Sequence, residues 1–274
     1  MLKNDQHQIQ RKIEKSKRRV EKAAAKSRKH VPAVDTSEFT AIDCACVIHG
    51  TGYDWLYVER LYNMLKRNIS LPIRFHVYTE ADRPVPEHMI KHVLEDWGAG
   101  GPRRAWWHKI QMFNSEHHAG HLLYFDLDTV ITSNIDWLWQ SDPRFFWTIK
   151  DFKRLWQTDF VGINSSIMWW DTRHWSWIWQ EFKRQDFVAL FKRYHGDQDY
   201  LTVMIDQAWL RYYDTNRILS YRWQALDGGF DFVTRRHCTP GTGLNLNPDV
   251  SALIFHGNPK PHKANNAVVA HYWR

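Results

Sequence analysis

The chain has 274 residues, 43% of them hydrophobic, which is enough for one sizeable core. No apolar run approaches the ~20 residues of a membrane span, and the charged N-terminus lacks the apolar region of a secretory signal. Residues 1–30 carry 11 Lys/Arg against 3 Asp/Glu, leaving 26 basic and 27 acidic residues to the rest, so the formal charge of +7 belongs to the tail.

Cysteine usage agrees with a soluble, cytoplasmic chain. Cys44, Cys46 and Cys238 are too few for a disulfide framework, and Cys-x-Cys without partner ligands is no zinc site. Buried, reduced thiols are expected.

In chain order, residues 8–29 are rich in helix formers and contain no Gly or Pro, which predicts a basic polar helix. Residues 30–40, with Pro32, read as a linker. The expected division is a tail and linker over 1–38 and one domain over 39–274. The tail has the charge to meet an anionic surface or another subunit. CACVIHG (44–50) reads as a strand, YDWLYVERLYNMLKRN (53–68) as a helix with an apolar face, and PIRFHVYTE (72–80) as a second strand. PEHMIKHVLEDW (86–97) reads as a helix with Pro near its start. After the loop GAGGPRR (98–104), AWWHKIQMF (105–113) reads as an aromatic helix. The alternation of strand and helix predicts an α/β domain with a parallel sheet. Further strands are expected over 121–127, 145–152 and 161–171, and near RILSYRW and SALIFHG. A long aromatic helix is expected over 174–194, with a turn into a helix over 195–205.

The stretch HLLYFDLDTVI (121–131) carries the chemistry. LLYF drives a strand into the core, and Asp126 and Asp128 follow at its carboxyl end, where open α/β sheets collect ligands. Two acids at that spacing can converge on one hard cation such as Mn²⁺ or Mg²⁺. The string alone fits two enzyme classes. It matches the phosphatase motif of the haloacid dehalogenase type, with Asp126 as nucleophile. It equally matches the metal-binding pair of a nucleotide-sugar transferase. About 80 residues of α/β structure precede it, and GDQD lacks the wider spacing that the phosphatase's later acidic pair needs, so the context favours the transferase. A catalytically silent sugar-binding module using the Trp-rich surface is the third reading.

From about Cys44 onward the chain resembles glycosyltransferase family 8, which includes glycogenin and bacterial lipopolysaccharide galactosyltransferases. WWHKIQMF followed by LLYFDLDTVI looks like the family's lysine-bearing helix and Asp-x-Asp strand. INSSIMWWD looks like its Asn-Ser-Gly segment, with Ser166 where Gly is commoner. HGDQDYL looks like its Asp-Gln-Asp turn and FHGNPKPH its His…Gly…Lys-Pro element. The resemblance implies a GT-A fold, Rossmann-like and α/β, and a metal-dependent, retaining transfer of a hexose from a nucleotide sugar, most simply UDP-linked. The acceptor, whether glycan, lipid or protein, is not legible.

The resemblance also implies roles. Asp126, Asp128 and His256 would hold the cation. Lys109, Asp126, Asn164, Ser165, Gly257 and Lys260 would meet the donor, and His49, Gly50, Thr51 and Tyr53 its nucleotide, with Tyr57 as the alternative stacking ring. Asp197, Gln198 and Asp199 would surround the bond exchange, with Asp199 alternatively a helix cap. No residue reads as a nucleophile, which favours front-face exchange over a covalent intermediate. One departure stands out: His256 and Lys260 are two residues closer than the family's common spacing. Most of the sixteen tryptophans read as core, with one or two left for acceptor stacking.

Overall fold

The computed structural model describes residues 34–96, 105–227, 230–231, 234, 236–237 and 243–274. The basic helix read over 8–29, the loop over 98–104 and Cys238 lie outside the described residues.

A mixed sheet of seven strands organises the domain. In chain order its strands are β1 (Ile42–Val47), β2 (Ile73–Thr79), β3 (Ile90–Val93), β4 (His121–Phe125), β6 (Phe146–Lys150), β7 (Ile163–Asp171) and β8 (Leu210–Tyr212). They lie in the order β3-β2-β1-β4-β7-β6-β8. β1 is parallel to β2 and β4, and β2 is parallel to β3, whereas β7 runs antiparallel to both β4 and β6. A smaller sheet joins β5 (Thr129–Ile131), β9 (Ile218–Ser220) and β12 (Ala252–Ile254) in the order β5-β12-β9. A short hairpin pairs β10 (Phe230–Asp231) with β11 (Arg236–His237).

The sheet is apolar on both faces, as its near-continuous hydrophobic strands require. Alternation along β4 sends Leu123 and Phe125 to one core, with Cys44, Cys46 and Trp169, and Leu122 and Tyr124 to the other, with Ala45, Met168 and Trp170. Helix α1 (Trp55–Asn68) covers the first face with Val58, Leu61, Met64 and Leu65. The second face is covered by the 3₁₀ segment Ala105–Phe113 and by α4 (Trp177–Lys183), after the short helices α2 (Asp136–Trp139) and α3 (Thr172–Trp175). α5 (Phe187–Arg193) and α6 (Asp197–Met204) follow, and α7 (Ala267–Tyr272) closes the chain. Cys44 and Cys46 are buried free thiols, and Trp107, Trp169, Trp170 and Trp175 are core residues, both as read from sequence.

Three expectations need correction. The helix read over 86–97 is instead the edge strand β3: Met89 closes a turn onto the Pro86 carbonyl, and the next four residues pair with β2. The free edge of β2 offers four residues a full ladder, which overrides their helical spacing. The segment 105–113 is helical but 3₁₀, with seven of its nine residues buried and so no polar face. The long helix over 174–194 is broken, because the Asp186 carboxylate caps a new helix at the Val188 and Ala189 N–H groups.

Among the described residues no helix is long and apolar enough to cross a membrane. Because β4 leads into the acidic pair and its side chains fill both cores, Leu123→Ala is expected to cost about 2–5 kcal/mol, measured as a lower urea midpoint at unchanged m-value.

Candidate active site

The site forms where β4 stops being a strand. Asp126 donates its backbone N–H to the Ser166 carbonyl (2.8 Å), after which the chain turns, Thr129 N–H closing onto the Asp126 carbonyl (3.0 Å). The turn enters β5, and both acids face a cavity of about 980 Å³ at the carboxyl ends of the parallel strands. Every residue named above as metal-, donor- or bond-exchange-binding lines this one cavity: His49, Gly50, Thr51 and Tyr53 after β1, Lys109 on the 3₁₀ segment, Asp126 and Asp128, Asn164 and Ser165 on β7, Asp197, Gln198 and Asp199 opening α6, and His256, Gly257 and Lys260 after β12.

At the centre is Lys109, 8% exposed. Its Nζ lies 2.7 Å from Asp126 Oδ1 and 3.6 Å from Asp197 Oδ2, and donates to Ser165 Oγ at 3.3 Å. Burial alone would lower its pKa, but the charges of Asp126 and Asp197 outweigh burial and hold it charged, above its usual range. Burial likewise pushes the Asp126 carboxyl up, and Lys109 reverses that, leaving it below the usual carboxylate range. Tyr124 OH also donates to Asp126 Oδ1 at 2.5 Å. Asp197 is raised by burial, which Lys109 only partly offsets, and it accepts the Ser165 hydroxyl at 2.7 Å.

Asp128 pairs with Lys260, whose ammonium donates to Oδ2, and accepts the Tyr53 hydroxyl on the same oxygen at 2.7 Å. Burial raises its pKa despite Lys260. Gln198 is fixed at both ends, its Oε1 accepting from Ser165 N–H (3.3 Å) and its Nε2 donating to Asp151 Oδ2 (2.6 Å). Asp199 turns back to accept the His195 N–H at 3.2 Å, so it serves the helix start as well as the cavity wall. Tyr57 is 3% exposed and bonded to His262, so the stacking alternative to Tyr53 is closed off.

The nucleotide-side loop is pinned from below. Glu80 accepts the Gly50 N–H while Arg83 donates to the Gly50 carbonyl at 2.7 Å. Gly50, at φ +68°, adopts a backbone conformation that other residues resist. Gly257, at φ +74°, does the same for the loop carrying Lys260.

The cation site expected at Asp126, Asp128 and His256 is not assembled. His256 turns its Nε2 to Ser220 Oγ at 2.6 Å, its ring lying against Phe152 and Trp223, and each aspartate already holds an ammonium. The residues as placed do not fit a divalent ion held by those three. Among the described residues, the group whose ligand atoms all lie within 4.8 Å of one another is Asp43, His76 and His118. Asp43 stands near the start of β1, six residues and thus roughly 20 Å from His49 at the cavity.

Sequence reasoning missed Trp106, Asp151, Lys153 and His195, which also line the cavity. Trp106 stacks on His195 with ring centroids 5.7 Å apart. Asp151 was legible in principle, as an acid at the end of a buried strand.

Neither a family model nor a curated protein sequence matches the chain. Solved structures do. LgtC, a galactosyltransferase in complex with donor and acceptor sugar analogs, matches with TM-score 0.56 and 13% identity over 84% of this chain and 94% of that one. An active-site Gln-to-Glu mutant of LgtC matches with TM-score 0.57 and 14% identity. The glycosyltransferase GlyE of Streptococcus pneumoniae TIGR4 matches with TM-score 0.58 and 14% identity over 85% of this chain, which spans 60% of GlyE. The fold is GT-A. That removes the phosphatase architecture, and the central acidic pair follows the fourth strand of a GT-A sheet.

Two predictions follow from these environments. Lys109→Met leaves the buried Asp197 and the partly buried Asp126 without their counter-charge, and is expected to cost about 3–5 kcal/mol, read from denaturant unfolding, with Lys109→Arg retaining more of the stability. Burial pushes His256 and His108 down to about 4 and His92 down to about 3. The unfolded chain binds protons at these histidines that the fold refuses, so their contribution to stability rises with pH from about 4 to 6.5, while the raised Asp128 and Asp197 oppose it at the lower end. Urea midpoints across that range check the sign.

Proposed function

We propose that the protein is a glycosyltransferase that moves a hexose from a nucleotide sugar, a UDP-hexose in the simplest case, with retention of configuration. The observation carrying this reading is the convergence of Lys109, Asp126, Asp128, Asp197, Gln198 and Lys260 on one cavity at the carboxyl edge of a GT-A sheet.

The nucleotide would lie over the His49–Tyr53 loop, where Gly50 lets the backbone approach closely and Tyr53 offers a ring. The diphosphate would meet Lys260 at the cavity mouth, since that side chain is 27% exposed and an ammonium has three donors. Negative charge grows on the leaving diphosphate as the sugar departs, and a fixed cation stabilises that growth without reorganising. The sugar would then sit between Asn164, Ser165 and the start of α6. The active-site glutamine altered in LgtC supports a matching place for Gln198, whose amide is immobilised from both ends.

The carboxylates nearest that position are committed. Asp126 is paired with Lys109, and Asp197 accepts the Ser165 hydroxyl. A covalent route needs a carboxylate free to attack, so this arrangement supports front-face exchange. The Mn²⁺ or Mg²⁺ expected from the acidic pair would find both carboxylates already engaged by lysines. Buried Cys44 and Cys46 thiols support a cytoplasmic location. The acceptor side, glycan, lipid or protein, is open; Trp106, stacked on His195 at the wall, is the ring best placed for an acceptor sugar.

The test is a thermal-shift panel of nucleotide sugars followed by turnover. A UDP-hexose should raise Tm, and Gln198→Ala should keep that shift while losing roughly 10²–10³ in kcat. No shift from any nucleotide sugar would sink the assignment.

A further inference from the structure

The acidic pair and its lysines carry a consequence for metal dependence. Asp126 and Asp128 bring two negative charges to the cavity, the charge that a divalent ion would balance. Lys109 and Lys260 already balance it, one ammonium to each carboxylate. The tyrosine hydroxyls of Tyr124 and Tyr53 donate to the same carboxylate oxygens. An ion held by both acids would therefore sit beside two ammonium groups, and like-charge repulsion in a partly dry site opposes that.

The third ligand is turned away as well. His256 Nε2 is spent on Ser220 Oγ at 2.6 Å, and its ring is wedged against Phe152 and Trp223. The chain between His256 and Lys260 explains the exchange. It is short, and Gly257 turns it sharply at φ +74°, so the lysine folds back over the strand end. There Nζ reaches Asp128 Oδ2 and the Phe255 carbonyl (3.4 Å).

We propose that Lys109 and Lys260 take the place of the divalent cation, so that this transferase binds its nucleoside diphosphate donor without metal. The inference rests on the donor reading above. Lys109 is the buried, fixed half of the pair, and Lys260 is the half that meets the phosphates. With two of its donors on Asp128 and Phe255, Lys260 keeps one for a diphosphate oxygen, as a point charge.

The experiment uses the full chain and two probes, UDP and Mn²⁺. UDP should raise Tm by the same amount in chelator and in Mn²⁺. Lys260→Ala should weaken UDP binding in chelator by at least tenfold, and Mn²⁺ should restore part of it by occupying the vacated Asp128. A UDP shift in the unaltered protein that appears only with Mn²⁺ would overturn the proposal. So would full UDP affinity of Lys260→Ala in chelator. Mn²⁺ titrated alone, followed by electron paramagnetic resonance, decides the matter separately from the donor. A bound ion lost in Asp128→Asn but kept in Asp43→Asn would overturn it, and no such ion in the unaltered protein supports it. If UDP binds in neither buffer, the donor reading fails while the Mn²⁺ titration still rules on the carboxylates.

Discussion

A buried ammonium is the constraint around which the site is arranged. Lys109 has been taken out of water on a segment with no polar face, and a lone charge so placed would cost several kcal/mol. It is held because Asp126 and Asp197 arrive from two other directions, one from the end of the central strand and one from the first turn of α6. Each partner would itself be costly to bury alone. The three groups are therefore admitted to the interior only together, and their meeting fixes the relative placement of the 3₁₀ segment, β4 and α6. Ser165 completes the cluster by donating to Asp197 while accepting from Lys109. The cavity wall is rigid there because moving any one member strands the others.

The polar strand opposite poses a related problem. β7 is buried along all nine residues yet contains Asn164, Ser165 and Ser166. The ladder to β6 shifts register between Thr148 and Ile149, which opens a gap opposite these residues. Thr148 Oγ1 closes it by donating to the Asn164 and Ile167 carbonyls, at 2.8 and 3.0 Å. A bulge is how a sheet redirects side chains near a site, and here it lets one strand serve as core at Met168–Trp170 and as cavity wall at Asn164–Ser166.

The legible part of this protein is the part dictated by short-range pattern. LLYF before Asp126 announces a buried strand whose acids emerge at the sheet edge, and β4 does end at Phe125. The HGDQD turn announces the start of α6 in the same way. Residues far apart in sequence, Lys109, Asp197 and Lys260 among them, do share one cavity. Pattern failed where a neighbour decided the outcome. Residues 90–93 became a strand because β2 offered an open edge, and no local periodicity records that. Hydrogen-bond partners were beyond reach for the same reason: nothing near His256 in the chain indicates that Ser220 will take its imidazole. The shortened spacing to Lys260 was visible, but its direction, back onto Asp128, depended on the turn at Gly257.

The two ends of the neighbouring parallel strands β1 and β4 show why ligand-like residue types do not by themselves define a cation site. At the amino end Asp43, His76 and His118 bring ligand atoms within 4.8 Å of one another, and His92 Nε2 meets His76 Nδ1 at 2.8 Å. Yet Arg74 grips both Asp43 oxygens at 2.6 and 2.5 Å, and His76 donates or accepts between Asp43 and His92, so the group is hydrogen-bonded as it stands. At the carboxyl end the acids of the strand turn are equally answered, by lysines. In both places the counter-charge decides the chemistry. Arg74 is itself 55% exposed, but Asp43 beneath it is buried, so its departure would strand a buried carboxylate. Lys109 is likewise buried against its acids. Both groups are thus committed to a protein cation, and the positive charge available to a donor diphosphate is that of Lys260, held at the mouth by Asp128.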